Sequence, residues 1–196
     1  LGAFEDLVTR DAMGNLTLVT ATNLNVGKRN VNGVDLSAAY RLPTRTWGQW
    51  STAIDIAYIN EYSLQLDRES STINFAGEFI DPASEGVGGI PEWKGTLGVQ
   101  WARQRWRGSY DIHFVSEMRE TVPSSTRRRD IDDWMVHDLQ LSYVFNVARG
   151  LRMSLGVDNL LDEDPPFASS AFNDNYDGRS HDLRGRFWYA KLSQRI

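Results

Sequence analysis

Apolar and polar residues alternate with a period of two along most of the chain. From Gly33 onward, Val34, Leu36, Ala38, Tyr40 and Leu42 fall on one side, and Asp35, Ser37, Ala39 and Arg41 on the other. Trp50, Thr52, Ile54, Ile56 and Tyr58 alternate with Ser51, Ala53, Asp55 and Ala57. The same rhythm sets Leu97, Val99 and Trp101 against Thr96, Gly98 and Gln100, and Tyr110, Ile112 and Phe114 against Ser109, Asp111 and His113. It continues through Leu139–Phe145 and Leu151–Val157 and returns in the last run, Phe187 to Ile196. Strict alternation predicts β-strands with one apolar and one polar face. No comparable stretch carries the helical period.

The connections alternate as well. Short polar turns are expected near Pro43–Trp47, Arg103–Arg105 and Asn146–Gly150, and long loops near Asp67–Glu92, Glu117–Asp133 and Leu161–Arg184. An antiparallel transmembrane β-barrel has this form, with tight turns at one end and long loops at the other. A soluble sandwich has no reason to sort its loops by length. Aromatic residues sit at the predicted strand ends: Trp47, Trp50, Trp101, Trp106, Tyr143 and Phe145 by the short turns, and Trp93, Phe114 and Trp134 by the long loops. Two aromatic girdles around an apolar band mark the two faces of a bilayer. The competing reading is a soluble β-sandwich binding module, which would bury Leu36, Ile54, Leu97, Leu141 and Leu155 against a second sheet.

Composition changes the picture little. The chain has 196 residues, a net charge of −5 and no cysteine. The charge argues against a nucleic-acid partner. The missing cysteine excludes a disulfide framework, a cysteine metal site and a thiol nucleophile. A mean hydropathy of −0.44 suggests a soluble protein at first sight, but barrel strands average out as hydrophilic because only every second residue meets lipid. No run reaches the length of apolar residues that a transmembrane helix needs. The long loops are acidic and the arginines gather at the short turns, so the two ends differ in charge.

Three stretches resemble the C-terminal part of a TonB-dependent outer-membrane receptor. Asn25–Leu36 (NVGKRNVNGVDL) is similar to a strand of that family entered through Asn-x-Gly and Gly-Val-Asp. Leu155–Asp162 (LGVDNLLD), followed by Pro165-Pro166-Phe167, is similar to the motif that precedes the family's final loop. Arg184–Ile196 resembles the terminal strand, departing from it in Gln194 and in ending on Ile196 rather than an aromatic residue. The resemblance implies an all-β fold: about seven or eight strands of a larger barrel of about 22. Residues 1–29 are expected to form a hairpin within an extracellular loop, and residues 30–196 barrel strands; the chain is read as a fragment without the family's plug. The resemblance further implies residence in the bacterial outer membrane, in contact with lipid and lipopolysaccharide. It implies active import of a scarce small-molecule nutrient, such as a siderophore, cobalamin or carbohydrate. TonB, ExbB and ExbD would supply the energy through an upstream segment, with no catalysis and no cofactor.

Few residues suggest chemistry of their own. Asp111 and His113 share a polar face and could form the acid–base pair of a barrel hydrolase; a hydrogen-bonded pair facing the lumen is the plainer reading, since no nucleophile motif accompanies them. His181 with Asp174, Asp177 and Asp182 could invite a metal, but spaced aspartates in such a loop more often form turns, and no metal is expected. Asp162-Glu163-Asp164 lacks the spacing of a calcium loop. Gly86–Gly89 has no following Lys-Ser/Thr and is not a phosphate cradle. The basic cluster Arg127, Arg128 and Arg129, beside Trp134, is the candidate ligand contact, since guanidinium groups suit an anionic ligand or a lipopolysaccharide phosphate.

Overall fold

A computed structural model of the chain describes residues 8–20, 27–65, 71–80, 88–121, 128–146, 150–171 and 174–194. In chain order the strands are β1 (Val8–Arg10), β2 (Leu16–Val19), β3 (Lys28–Pro43), β4 (Gln49–Gln65), β5 (Ile73–Asn74), β6 (Glu78–Ile80) and β7 (Gly88–Ile90), then β8 (Trp93–Arg103), β9 (Trp106–Val115), β10 (Met118–Thr121), β11 (Arg128–Ile131), β12 (Trp134–Val144), β13 (Arg152–Asp158) and β14 (Phe187–Ser193). No helix among the described residues is long and apolar enough to cross a membrane, which has no bearing on crossing by strands.

The alternating runs become one antiparallel meander in the order β14-β13-β12-β9-β8-β4-β3, with the two-residue β5 paired to β4. Each long strand pairs with its predecessor and successor among the wall strands. Tight turns enforce this. Between β3 and β4, Thr44 closes the turn by donating from its amide and its hydroxyl to the Gly48 carbonyl, at 3.0 and 2.7 Å. Gly48 has φ +92°, and a Cβ there would stand 2.4 Å from the Ala102 carbonyl oxygen, so only glycine fits. Among the described residues the sheet is open, with β3 and β14 at opposite edges.

The register aligns the apolar positions on one face. That face meets no second sheet among the described residues: Leu36 and Leu155 are 57% and 54% exposed, and Leu141 is exposed beside them. The burial that a sandwich requires is therefore not found. A contiguous face of Val, Leu, Ile and Tyr this large demands an apolar surround, and lipid supplies one. Its borders are aromatic. Trp50 packs beside Trp101 at 6.2 Å, Tyr58 lies over Trp93 at 4.4 Å, and Trp106 meets Tyr143 at 4.7 Å. On β8 the two borders, Trp93 and Trp101, are eight residues apart. That spacing is roughly 26 Å at about 3.3 Å per residue, close to the height of a barrel's apolar band.

The long connections are not simple loops. Short strands from two of them form a four-stranded sheet, β11-β10-β6-β7, in which β10 runs parallel to β6. Phe79, Met118 and Ile131 form its small core with Ala168 and Ala171 of the last loop. Three connections thus share one cap. Glu120, almost fully buried, pins the third to it by accepting hydrogen bonds from the Ser169 hydroxyl at 2.9 Å and the Ser170 amide. At the other end of the chain, among the described residues β1 and β2 pair with each other alone, around a turn in which Asp11 accepts from the amides of Met13 and Asn15. The first wall strand begins at Lys28.

Candidate functional site

The polar face of the sheet carries the charges. Asp55 accepts from the Ser37 hydroxyl at 2.6 Å, and Ser142 donates to Ser154 at 2.8 Å. Tyr189 lies across Gly156, where a Cβ would fall 2.3 Å from the ring, and donates its hydroxyl to Gln140 at 3.3 Å. An aromatic ring covering a strand glycine pins the register of β13 against β14.

Higher up, the parity of the polar face holds apolar residues instead. Val115 of β9 and Trp134 and Val136 of β12 form a buried cluster there. The segment 174–186, a strap from the last connection, covers it. The strap is positioned from its start by Asn159, which closes β13 with φ +53°. The buried Asn159 side chain accepts from the Glu163 amide at 2.8 Å and donates to the carbonyls of Glu163 and Arg184 at 2.9 and 3.3 Å. Asp162 adds a bond from the Arg186 amide at 2.7 Å. The Asp-Asn-Leu-Leu-Asp run is thus the joint that turns the chain off the wall and ties it to the far end of the strap.

Within the strap, Asp177 forms a tight turn, accepting at its carbonyl from the amides of Ser180 and His181. This drives His181 inward. Its ring is buried, stands edge-on to Trp134 at 5.5 Å and places Nδ1 3.2 Å from the Asp177 carbonyl oxygen. A carbonyl only accepts, so Nδ1 carries the proton and Nε2 is the bare nitrogen; Nε2 is buried without a partner. Burial holds the His181 pKa below the ordinary imidazole value; nearby Asp177 partly opposes this and Lys94 adds to it. Lys94 of β8 donates to the Ser180 hydroxyl at 3.2 Å, a second tether. Arg184 forks onto Asp182, with contacts at 2.7 and 3.0 Å, and draws that carboxyl's pKa down.

Between strap and sheet lies a cavity of about 790 Å³, bordered by Asp55, Lys94, His113, Asp138, His181 and Arg184 among others. Its size suits a small molecule.

The predicted residues are distributed unevenly around it. Asp111 and His113 share a face, but His113 Nε2 pairs with Asp138 Oδ2 at 3.3 Å. Asp111 leans over Gly98, where a Cβ would lie 2.9 Å from its carboxylate. Asp111 and Asp138 stand directly opposite in the register; like charges in that position diverge, and the imidazole goes diagonally to the one on its side. The acid–base pair expected along one strand is therefore a pair between strands. Trp134, expected in the outer girdle, faces the interior and is buried, because it has the parity of Asp138 and not of Leu139. Arg129 on the cap sets its guanidinium 5.5 Å from the Phe167 ring centre. Arg128 lies in β11, opposite Thr121, and Arg127 lies outside the described residues. Arg129 does not border the cavity that Trp134 lines. Asp174, Asp177 and Asp182 do form turns, while His181 is buried rather than solvated. Among the described residues no three His, Asp or Glu side chains gather into a metal-holding group. Gly86 also falls outside the described residues; Gly88 and Gly89 sit in β7. Lys94 and His181 were not legible as a pair. The signal for the strap's seat was apolar Val115, Trp134 and Val136 at polar-parity positions.

An antiparallel wall with a girdled apolar outside, a charged inside and its long connections capped on one side has the features of part of a membrane β-barrel wall. A family model described as "TonB dependent receptor-like, beta-barrel" matches residues 3–160. The chain belongs to that family. Its members are outer-membrane transporters, not enzymes, so a hydrolase built on Asp111 and His113 is set aside. No curated protein matches the chain.

Proposed function

We propose that this chain is part of the wall and cap of a receptor that captures a scarce small nutrient at the cell surface and imports it with TonB-derived energy. The observation that carries the reading is the pair of aromatic borders on β4 and β8, with a capped, charged cavity on the opposite face. In the intact receptor the open edges of β3 and β14 pair with further strands, closing a barrel of about 22 around a plug, since an unpaired edge cannot face lipid. The β1–β2 hairpin belongs to an extracellular loop, and TonB, ExbB and ExbD act through the plug. The nutrient, a siderophore, cobalamin, a carbohydrate or a similar molecule, first meets the cap. There Arg127, Arg128 and Arg129 contact it or a lipopolysaccharide phosphate, and Trp134 acts from beneath through the strap.

The experiment is to isolate outer membranes carrying the intact protein. A heat-modifiable, detergent-requiring β-sheet species is expected there, together with uptake of a limiting nutrient that is lost when TonB is deleted. A freely soluble protein, or uptake indifferent to TonB, refutes the reading. Replacing the three arginines together by glutamine should weaken capture at the surface while leaving barrel assembly intact.

A further inference from the structure

The strap is held to the wall by little. Among the described residues two contacts bind its centre to the sheet, the His181 ring against Trp134 and the Lys94–Ser180 hydrogen bond, and the turn at Asp177 holds that ring in place. Beneath it lies the cavity. The first contact has a chemical condition. Neutral His181 fits, because Nδ1–H has the Asp177 carbonyl and bare Nε2 meets only buried surroundings. A proton on Nε2 would place a cationic donor where no hydrogen-bond partner stands among the described residues, beside the Lys94 ammonium that is tethered one residue away on Ser180. A buried charge without a partner is strongly disfavoured.

We propose that the strap is an acid-released latch: protonation of His181 undocks residues 177–182 from the wall and opens the cavity on the side of β8 and β12. The charged groups around it set the sense of the response. On the strap itself Asp177 favours the proton, and Arg179, Asp182 and Arg184 lie further along. Lys94 on β8 opposes it. Across the cavity stand Asp35 on β3, Asp55 on β4, His113 on β9, Asp138 on β12 and Asp158 on β13. His113 is paired with Asp138, so its contact lies within the sheet and not on the strap. The docked state binds the His181 proton more weakly than the undocked state. Docking is therefore fully stable above the ordinary imidazole pKa, about 6.5, and is progressively lost as pH falls below it. Undocking frees Nε2 to meet water, which removes the penalty.

The inference deepens the transport reading by naming a regulation of the same cavity. Its test reads motion without nutrient, so its failure leaves that reading standing. In the intact receptor in outer-membrane vesicles, a Leu183→Cys variant carries one nitroxide spin label on the exposed side of the strap. Its mobile fraction is followed from pH 8 to pH 5. A several-fold rise below about pH 6.5 is expected. His181→Gln, which can still donate to the Asp177 carbonyl but cannot be protonated, should abolish the rise, and so should His181→Phe. His113→Gln should leave it in place. A mobile fraction independent of pH in the His181 protein overturns the proposal. So does a pH response that survives both His181 substitutions, or one that disappears with His113→Gln.

Discussion

Replacing Asn159 is expected to free the last connection from the wall without unfolding the wall. The side chain is buried and makes three hydrogen bonds, to the Glu163 amide and to the carbonyls of Glu163 and Arg184, at 2.8, 2.9 and 3.3 Å. A net contribution of about 1 kcal/mol for each of the two shorter bonds and less for the longest gives roughly 2–3 kcal/mol for the side chain. The backbone adds a second term. With φ +53° the residue occupies the left-handed region, which asparagine tolerates and alanine resists by about 1 kcal/mol. Asn159→Gly keeps the backbone freedom and loses the bonds, so it should cost roughly 2 kcal/mol of local stability. Asn159→Ala loses both and should cost roughly 3 kcal/mol. Asn159→Asp keeps the acceptor for the Glu163 amide but turns a buried carboxylate oxygen onto the Glu163 and Arg184 carbonyls, so it should cost at least as much as Gly. The assay is native-state proteolysis of the folded receptor. Cleavage within residues 161–186 reports local opening, and the heat-modifiable gel shift reports the intact wall. Faster cleavage of Ala than of Gly, and of Gly and Asp than of native, with an unchanged gel shift, is expected. Equal cleavage of the Ala and Gly variants would remove the backbone argument. Cleavage of all three at the native rate would refute the joint altogether.

Three further substitutions probe the other parts. Leu97→Arg places a charge in the apolar band midway between Trp93 and Trp101 and should cost about 2–4 kcal/mol in lipid unfolding titrations, whereas Thr96→Arg, one residue away and facing inward, should change stability little; equal effects would mean that the faces are misassigned. Gly156→Ala drives a methyl group into the Tyr189 ring and should weaken the β13–β14 pairing, with Gly156→Ala plus Tyr189→Ala less destabilised than the sum of the two changes; strict additivity in urea unfolding would refute the contact. Glu120→Ala leaves the Ser170 amide and the Ser169 hydroxyl without their acceptor and should loosen the cap by about 1–3 kcal/mol, seen as faster amide exchange at residues 168–171 with no change in the wall strands.

The wall was legible from the sequence because its physics is local. A residue with Val34 or Leu97 parity faces lipid and one with Asp35 or Thr96 parity faces the interior, and the period of two records this position by position. The short turn near Pro43–Trp47 and the aromatic borders were readable for the same reason, as was the Asp-Asn-Leu-Leu-Asp run as the place where the last long connection departs. The cap was not legible. Its strands have three or four residues, too few to show a period, and β6 pairs in parallel with β10 across a separation that no local pattern encodes. Partner choice was likewise hidden. His113 takes Asp138 and not Asp111 because the register of β9 against β12 puts two carboxylates face to face and leaves the imidazole on the diagonal of one of them. Trp134 carried a readable sign, its parity, but an aromatic residue at a strand end looks the same whether it borders lipid or seats a strap. The sequence by itself determined the strands, their faces and the medium each face needs, since these follow from the order of side chains along an extended backbone. The tertiary structure alone decided which charges meet, where the strap lands and that His181 is buried, because those depend on distances between residues that the chain brings together only after the wall has formed.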